Sequence, residues 1–186
     1  MSIRKLQHAE LLEQRLIPEL AKTSQKYPII LIVNSIRSSY NIGSLFRTAD
    51  SAGIQEIIIC GYSPYPPRQD ISKTALGADE TVTWRYIQKA EDAICILKEQ
   101  GWHVFAVELT DSSRDYTSLN SQDFPLALVV GNEITGVDQS VLELCDGAIE
   151  IPMYGVKHSL NVAVASGIIL YESVRKWLDI QKHRPI

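Results

Sequence analysis

A chain of 186 residues, 45% hydrophobic and 22% charged, fits one ordinary soluble globular domain with room for a core. Its net charge of −4 and pI near 5.6 argue against a protein that coats nucleic acid non-specifically, while leaving a local basic face open. No stretch is apolar for long enough to span a bilayer, and the opening MSIRKLQHAELLEQRL lacks the apolar core of a signal peptide, so the expected address is cytoplasmic, with no membrane partner.

In chain order, apolar spacing at Ile3, Leu6, Leu11, Leu12, Leu16, Ile17 and Leu20 predicts an amphipathic helix ending near Pro18. "YPIILIVNSI" is a continuous apolar run, the pattern of a strand covered on both faces. "NIGSLFRTADSAG" (41–53) reads as a helix closed by Gly53, and "QEIIICG" as a second buried strand. "YSPYPPRQDIS" is a loop by its prolines. Residues 88–100 read as a helix, followed by Gly101 and a third strand, "WHVFAVEL". A polar loop leads to a fourth strand, "PLALVVG", then a short helix around 138–144 and a brief strand, "AIEIP". The loop "MYGVKH" precedes a last helix from Ser159 to about Trp177.

Strands alternating with helices, each strand apolar throughout, predict an α/β fold with a mostly parallel sheet flanked by helices. Ligands in such sheets bind beyond the carboxyl ends of the strands, so the turns at 34–43, 131–136 and 152–161 should converge on one end. Cys60, Cys95 and Cys145 lie far apart without a CxxC pair and read as buried thiols. The scattered histidines suggest no metal site.

Three stretches carry polar groups at those turns. In the first, Gly43 allows a tight turn or close approach to a ligand, Asn41 can cap the following helix, and Arg47 lies in an otherwise apolar helix. Arg47 taken alone reads equally as a solvated arginine at a helix edge. The second, "GNEITGVD" (131–138), follows an apolar strand but matches neither a dinucleotide fingerprint nor a P-loop. Its Glu133 has a plainer reading, a carboxylate favouring the dipole of the next helix. In the third, Ser159 can cap the last helix and Asn161 offers a fixed amide from its first turn. The body of that helix, residues 162–170, is apolar all round and so must be enclosed by protein, a wrapping loop or a symmetry mate.

Together, in this order and spacing, the motifs "NIGSLFRTADSAG", "LVVGNEITGVD" and "IPMYGVKHSLNVAVASGI" resemble those of the SpoU (TrmH-like) branch of the SPOUT RNA ribose 2′-O-methyltransferases. The resemblance covers residues from about 28 to 172. It implies a deep trefoil knot within about 126–172, inside a methyltransferase domain of residues 27–178. An N-terminal helical extension (1–26) and a basic tail (179–186) flank that domain.

The resemblance further implies that S-adenosyl-L-methionine (SAM) is held in the knot, largely by backbone groups. Gly131, Ile151 and Leu160 match by motif position, with Leu109, Asn132, Gly136, Pro152, Met153 and Gly155 as neighbours. Arg47 matches the catalytic arginine, Asn41 the motif-one asparagine, Glu133 the motif-two glutamate, and Ser159 and Asn161 the motif-three pair. The family's dimers imply a homodimer through the knot region, with no metal.

A ribose 2′-hydroxyl is a poor nucleophile until its proton leaves, so developing alkoxide character must be stabilised. An arginine does this by charge and directed N–H donors, its own pKa arguing against a free base role. Glu133 would then orient Arg47 or a neighbouring amide, with Ser159 and Asn161 holding the network. The expected partner is a structured RNA, tRNA first and rRNA next. Cations expected to select it are Arg4, Lys5, Arg15, Arg68, Lys73, Lys157, His158, Arg175, Lys176, Lys182 and Arg184. Two other readings stay open: a non-catalytic RNA-binding or assembly factor on the same fold, and methylation of a base.

Overall fold

In a computed structural model, which describes residues 3–13, 17, 20 and 24–182, the run YPIILIVN forms strand β1 (Tyr27–Asn34). Its alternate residues serve two cores. Ile29, Leu31 and Val33 join one apolar cluster, and Ile30 and Ile32 join the other. That double burial is why the strand is apolar without alternation. Strand β6 (Leu126–Val130) is buried at every position for the same reason.

Seven strands form one sheet in the order β3-β2-β1-β6-β4-β7-β5. The remaining five are β2 (Ile54–Cys60), β3 (Trp84–Ile87), β4 (His103–Val107), β5 (Arg114–Asp115) and β7 (Gly147–Glu150). Every pairing is parallel. The two latest strands are both insertions: β6 lies between β1 and β4, and β7 between β4 and β5. The expected α/β class with a parallel sheet flanked by helices is the class observed.

One face of the sheet carries α2 (Ser39–Ala52), α3 (Gln69–Ala75), α4 (Ala78–Thr81) and α7 (Val162–Lys182), packed through Phe46, Ile71, Ala78 and Leu170 among others. The other carries α5 (Ala90–Glu99) and α6 (Gln139–Leu142), through Ile94, Leu97 and Val141. Helix α1 (His8–Glu13) covers part of the stretch expected as helix, residues 3–7 and Ile17 are not helical, Leu20 is, and positions 14–16 and 18–19 lie outside the described residues.

Several expectations change. Reading from sequence left residues 73–87 unassigned and took 62–72 as loop, whereas α3, α4 and β3 occupy most of 69–87. These elements are short, and β3 is an edge strand with Tyr86 exposed, so neither helical periodicity nor a continuous apolar run marks them. Ser38, not Asn41, caps α2, its hydroxyl accepting the Asn41 N–H at 3.3 Å. Gly43 does not form a turn. It lies within α2 where an added methyl would strike Thr74 Oγ1 and the Ile71 carbonyl of α3, so it permits close helix packing.

Helix α7 begins at Val162 and runs on to Lys182. It is not enclosed within one chain: Val164 and Tyr171 are about half exposed, at 51% and 54%. Cys60 is buried as expected, but Cys95 is exposed and Cys145 intermediate. Among the described residues no helix is long and apolar enough to cross a membrane, and no group of His, Cys, Asp or Glu is arranged to hold a metal.

Candidate active site

The loops following β1, β6 and β7 meet at the carboxyl end of the sheet, and one carboxylate ties two of them together. Glu133 projects from the turn after β6 to the segment just before α2. It accepts the backbone N–H of Arg37 at 2.9 Å, that of Ser38 at 3.2 Å and the side-chain amide of Asn41 at 2.8 Å. It therefore caps a helix of another motif, not the one that follows it in sequence. Partial burial alone would push its pKa up. The N–H of Arg37, the Asn41 amide, its own N–H and that of Ser38 outweigh burial and hold the carboxyl below the usual carboxylate value.

Asn41 passes the connection on. Its carbonyl oxygen accepts the side-chain amide of Asn161 at 3.2 Å. Asn161 in turn caps α7: its side-chain oxygen accepts the Ala163 N–H at 2.9 Å, and its carbonyl accepts the Ala165 N–H. Asn161–Asn41–Glu133 is thus a continuous hydrogen-bonded chain across three stretches distant in sequence. Ser159, expected as the α7 cap, is exposed and makes no hydrogen bond among the described residues. Asn161 stands closer to the helix and takes the capping position.

Arg47 stays outside the chain. It is exposed on α2, and its guanidinium has no carboxylate partner among the described residues, so Glu133 orients the Asn41 amide and not Arg47. The crossing with α7 is close by. An added methyl at Gly167 would sit 3.9 Å from the side chain of Thr48, next to Arg47.

The turn at 131–137 is built from the backbone. Asn132 and Gly136 exchange two hydrogen bonds, of 3.0 and 2.9 Å, and Gly136 has φ +71°. An added methyl at Gly131 would overlap the Gly136 carbonyl, so only glycine lets the two arms approach. The Asn132 side chain accepts from Ile134 and Thr135 N–H and donates to the Ser35 carbonyl and the Tyr62 hydroxyl. Its oxygen thus shapes the turn, and its amide ties the turn to the loops after β1 and β2.

Leu109 follows β4, Gly131 and Gly136 follow β6, and Ile151, Pro152, Met153, Gly155 and Leu160 follow β7. Those three strands are adjacent in the sheet, so these positions share one edge of the site. Leu109, Ile134, Tyr154, Val156 and Leu160 present exposed apolar surface there. Among the described residues no backbone hydrogen bond closes a turn from Met153 to Leu160, which leaves a row of N–H and C=O groups beside apolar walls.

The SpoU rRNA Methylase family model matches residues 28–171. The chain belongs to this family. It is 32% identical to a protein of Staphylococcus saprophyticus assigned to the TrmH family of tRNA/rRNA methyltransferases, over 83% of this chain and 61% of that one. It thus spans about three-fifths of that relative's length. Among solved structures, the TrmH/SpoU tRNA modifying enzyme of A. aeolicus superposes with a TM-score of 0.77 at 28% identity, covering 88% of this chain and 82% of that one. An AdoMet-bound rRNA methyltransferase of Sinorhizobium meliloti superposes at 0.75 and 29% identity, covering 87% and 61%.

Sequence reasoning missed one further residue that shapes this end of the sheet. Glu108 at the end of β4 accepts the N–H of Leu109 at 2.9 Å and of Val137 at 3.0 Å, clamping the glycine turn to its neighbouring strand. A carboxylate ending an apolar strand was the only signal for it.

Proposed function

We propose that the protein is a SAM-dependent RNA methyltransferase acting on a ribose 2′-hydroxyl, with tRNA the first substrate class and rRNA the next. The observation that carries this reading is the Asn161–Asn41–Glu133 chain, which links the three family motifs at the ligand-binding end of a parallel sheet.

The edge formed by the loops after β4, β6 and β7 fits SAM in its donor set. Apolar walls suit adenine, and backbone groups at 153–160 can meet the polar edge of the base. Leu109, Gly131, Gly136, Ile151, Pro152, Met153, Gly155 and Leu160 would line that site, with Asn132 shaping its turn. The late insertion of β6 and β7 between earlier strands supports a knotted C-terminal third. When bound, SAM supplies a methyl group activated on a sulfonium.

What remains for the protein is to make the 2′-hydroxyl reactive. Arg47 is exposed and has no carboxylate partner among the described residues, so its N–H donors are available to the hydroxyl oxygen as its proton leaves. Glu133, through Asn41, fixes the start of α2 and with it the helix bearing Arg47. Asn161 anchors α7 to the same point. Ser159, exposed beside them, is placed to meet RNA or the loop of a second subunit. The chain acts as a homodimer, its half-open α7 being the face that a second copy covers.

The test is methyl transfer from labelled SAM to separate pools of tRNA and rRNA, followed by nucleoside mass analysis. A 2′-O-methylated nucleoside confined to one pool is expected. Arg47→Ala should lower the rate by roughly 10²–10³ while SAM binding persists. A methylated base in place of ribose would sink the ribose assignment, and absence of SAM binding would favour a non-catalytic RNA-binding role.

A further inference from the structure

Beside the polar chain lies a second concavity that methyl transfer does not use. Its volume is about 560 Å³, and it is walled by the loop at 61–68, by Tyr86 of β3 and by Arg37 and Ser39. Three tyrosines open into solvent here: Tyr62 is 65% exposed, Tyr65 45% and Tyr86 40%. Tyr65 and Tyr86 lie with ring centroids 4.9 Å apart at 37°. Two of the three tyrosines are anchored by their polar ends. The Tyr86 hydroxyl donates to the Gly61 carbonyl at 2.8 Å, and the Tyr62 hydroxyl accepts the Asn132 amide at 2.6 Å. Tyr62 and Tyr86 are therefore held at their polar ends, Tyr65 is positioned by packing beside Tyr86, and all three keep exposed ring surface that a flat ligand can cover.

The charges point the same way. Acids outnumber bases, 22 to 18, and most described arginines are taken up by carboxylates: Arg4, Arg85, Arg114 and Arg175 each form an ion pair. Lys73, Lys176 and Lys182 are likewise paired. Arg37, Arg47 and Arg68 are the described arginines left without a carboxylate partner. Two of the three, Arg37 and Arg68, line this cleft, and the third is the arginine of the first family motif. Arg37 is also held by Glu133 through its backbone, so the cleft adjoins the proposed reaction site directly.

Fixed aromatic faces beside unpaired guanidinium groups are the chemistry that binds an unstacked base and its phosphates. We propose that the cleft holds a nucleobase of the substrate RNA flanking the methylated nucleotide, its ring against the tyrosines and its phosphates on Arg37 and Arg68. The proposal rests on the RNA-methyltransferase reading and adds a subsite to it.

The experiment measures binding by the full chain of total tRNA and of a short single-stranded RNA of mixed sequence, across a salt series, with SAM affinity measured in parallel. Loss of a stacked base predicts that Tyr65→Ala weakens RNA binding roughly five- to hundredfold, while Tyr65→Phe binds as the wild type does. Arg68→Ala should lower the salt slope by about one phosphate contact. SAM affinity should not move in any of them, and ultraviolet cross-links from the RNA should map to the tyrosines. Tyr65 packs near Trp84, with centroids 6.1 Å apart, so Arg68→Ala, which removes no internal partner, guards against a folding defect.

Unchanged RNA binding by both Tyr65→Ala and Arg68→Ala would overturn the proposal and leave the methyltransferase reading standing. Wild-type protein that binds no RNA would overturn both. Variants that lose a proline-rich peptide while keeping RNA would overturn it in favour of a protein ligand.

Discussion

Glu133 shows how one carboxylate can tie two loops and a helix start together. Its acceptors are filled from the loop before α2 and from Asn41, so its charge contributes to stability only while it is ionised. Because its folded pKa lies below the ordinary value of 4.5, that contribution is fully present above 4.5 and is lost as pH falls through the folded value. Glu133→Gln is expected to cost about 1 kcal/mol at neutral pH, the group being mostly exposed and screened. The gap between wild type and variant should close in denaturant titrations carried progressively below pH 4.5. A gap that stays constant with pH would mean the carboxylate's charge is irrelevant to the turn. Candidate residues for this site could be named from the motif spacing, but their partners could not. Nothing in the sequence says that Glu133 reaches to another strand's loop, that Ser38 caps α2, or that Asn161 stands where Ser159 was expected, because each depends on contacts made only after the sheet has assembled.

At the level of the element, the turn after β6 depends on the bare backbone of Gly131. Gly131→Ala places a methyl against the Gly136 carbonyl, where neither partner is a flexible side-chain end, so the turn must open. A loss of about 1–3 kcal/mol is expected in chemical denaturation, with weakened SAM binding measured by calorimetry. Gly155→Ala, whose methyl would meet no protein atom within 4 Å, serves as the control for stability. Elements of this kind differ in how openly the sequence announces them. β6, and β1 from Ile29 to Val33, are apolar at every position because helices cover both their faces, so they are read directly. α3, α4 and β3 are short and half-covered, and their positions are set by Gly43 admitting α3 against α2 and by pairing of β3 with β2. Such elements owe their existence to tertiary contacts that local pattern does not encode.

For the whole molecule, α7 raises the question of what covers it. An apolar helix with Val164 at 51% and Tyr171 at 54% exposure leaves apolar surface in water that a second chain would remove. Sedimentation equilibrium is expected to give about twice the 20.8 kDa of one chain. Val164→Glu should shift the protein toward the single-chain mass. A wild-type protein that stays at the single-chain mass at micromolar concentration would remove the dimer from the functional reading.

The position of β6 between β1 and β4 bears on how the chain is made. As the ribosome delivers residues up to 125, β1 has one neighbour, β2, and β4 has none, since both its partners come later. A nascent chain at that length carries unpaired edges on strands that are apolar on both sides, a template for sticking to its own copies. The sheet closes only when β6 slides into the gap, so cooperative folding waits for the last third of translation. Chaperone demand during synthesis is the expected consequence of placing so late a strand at the centre.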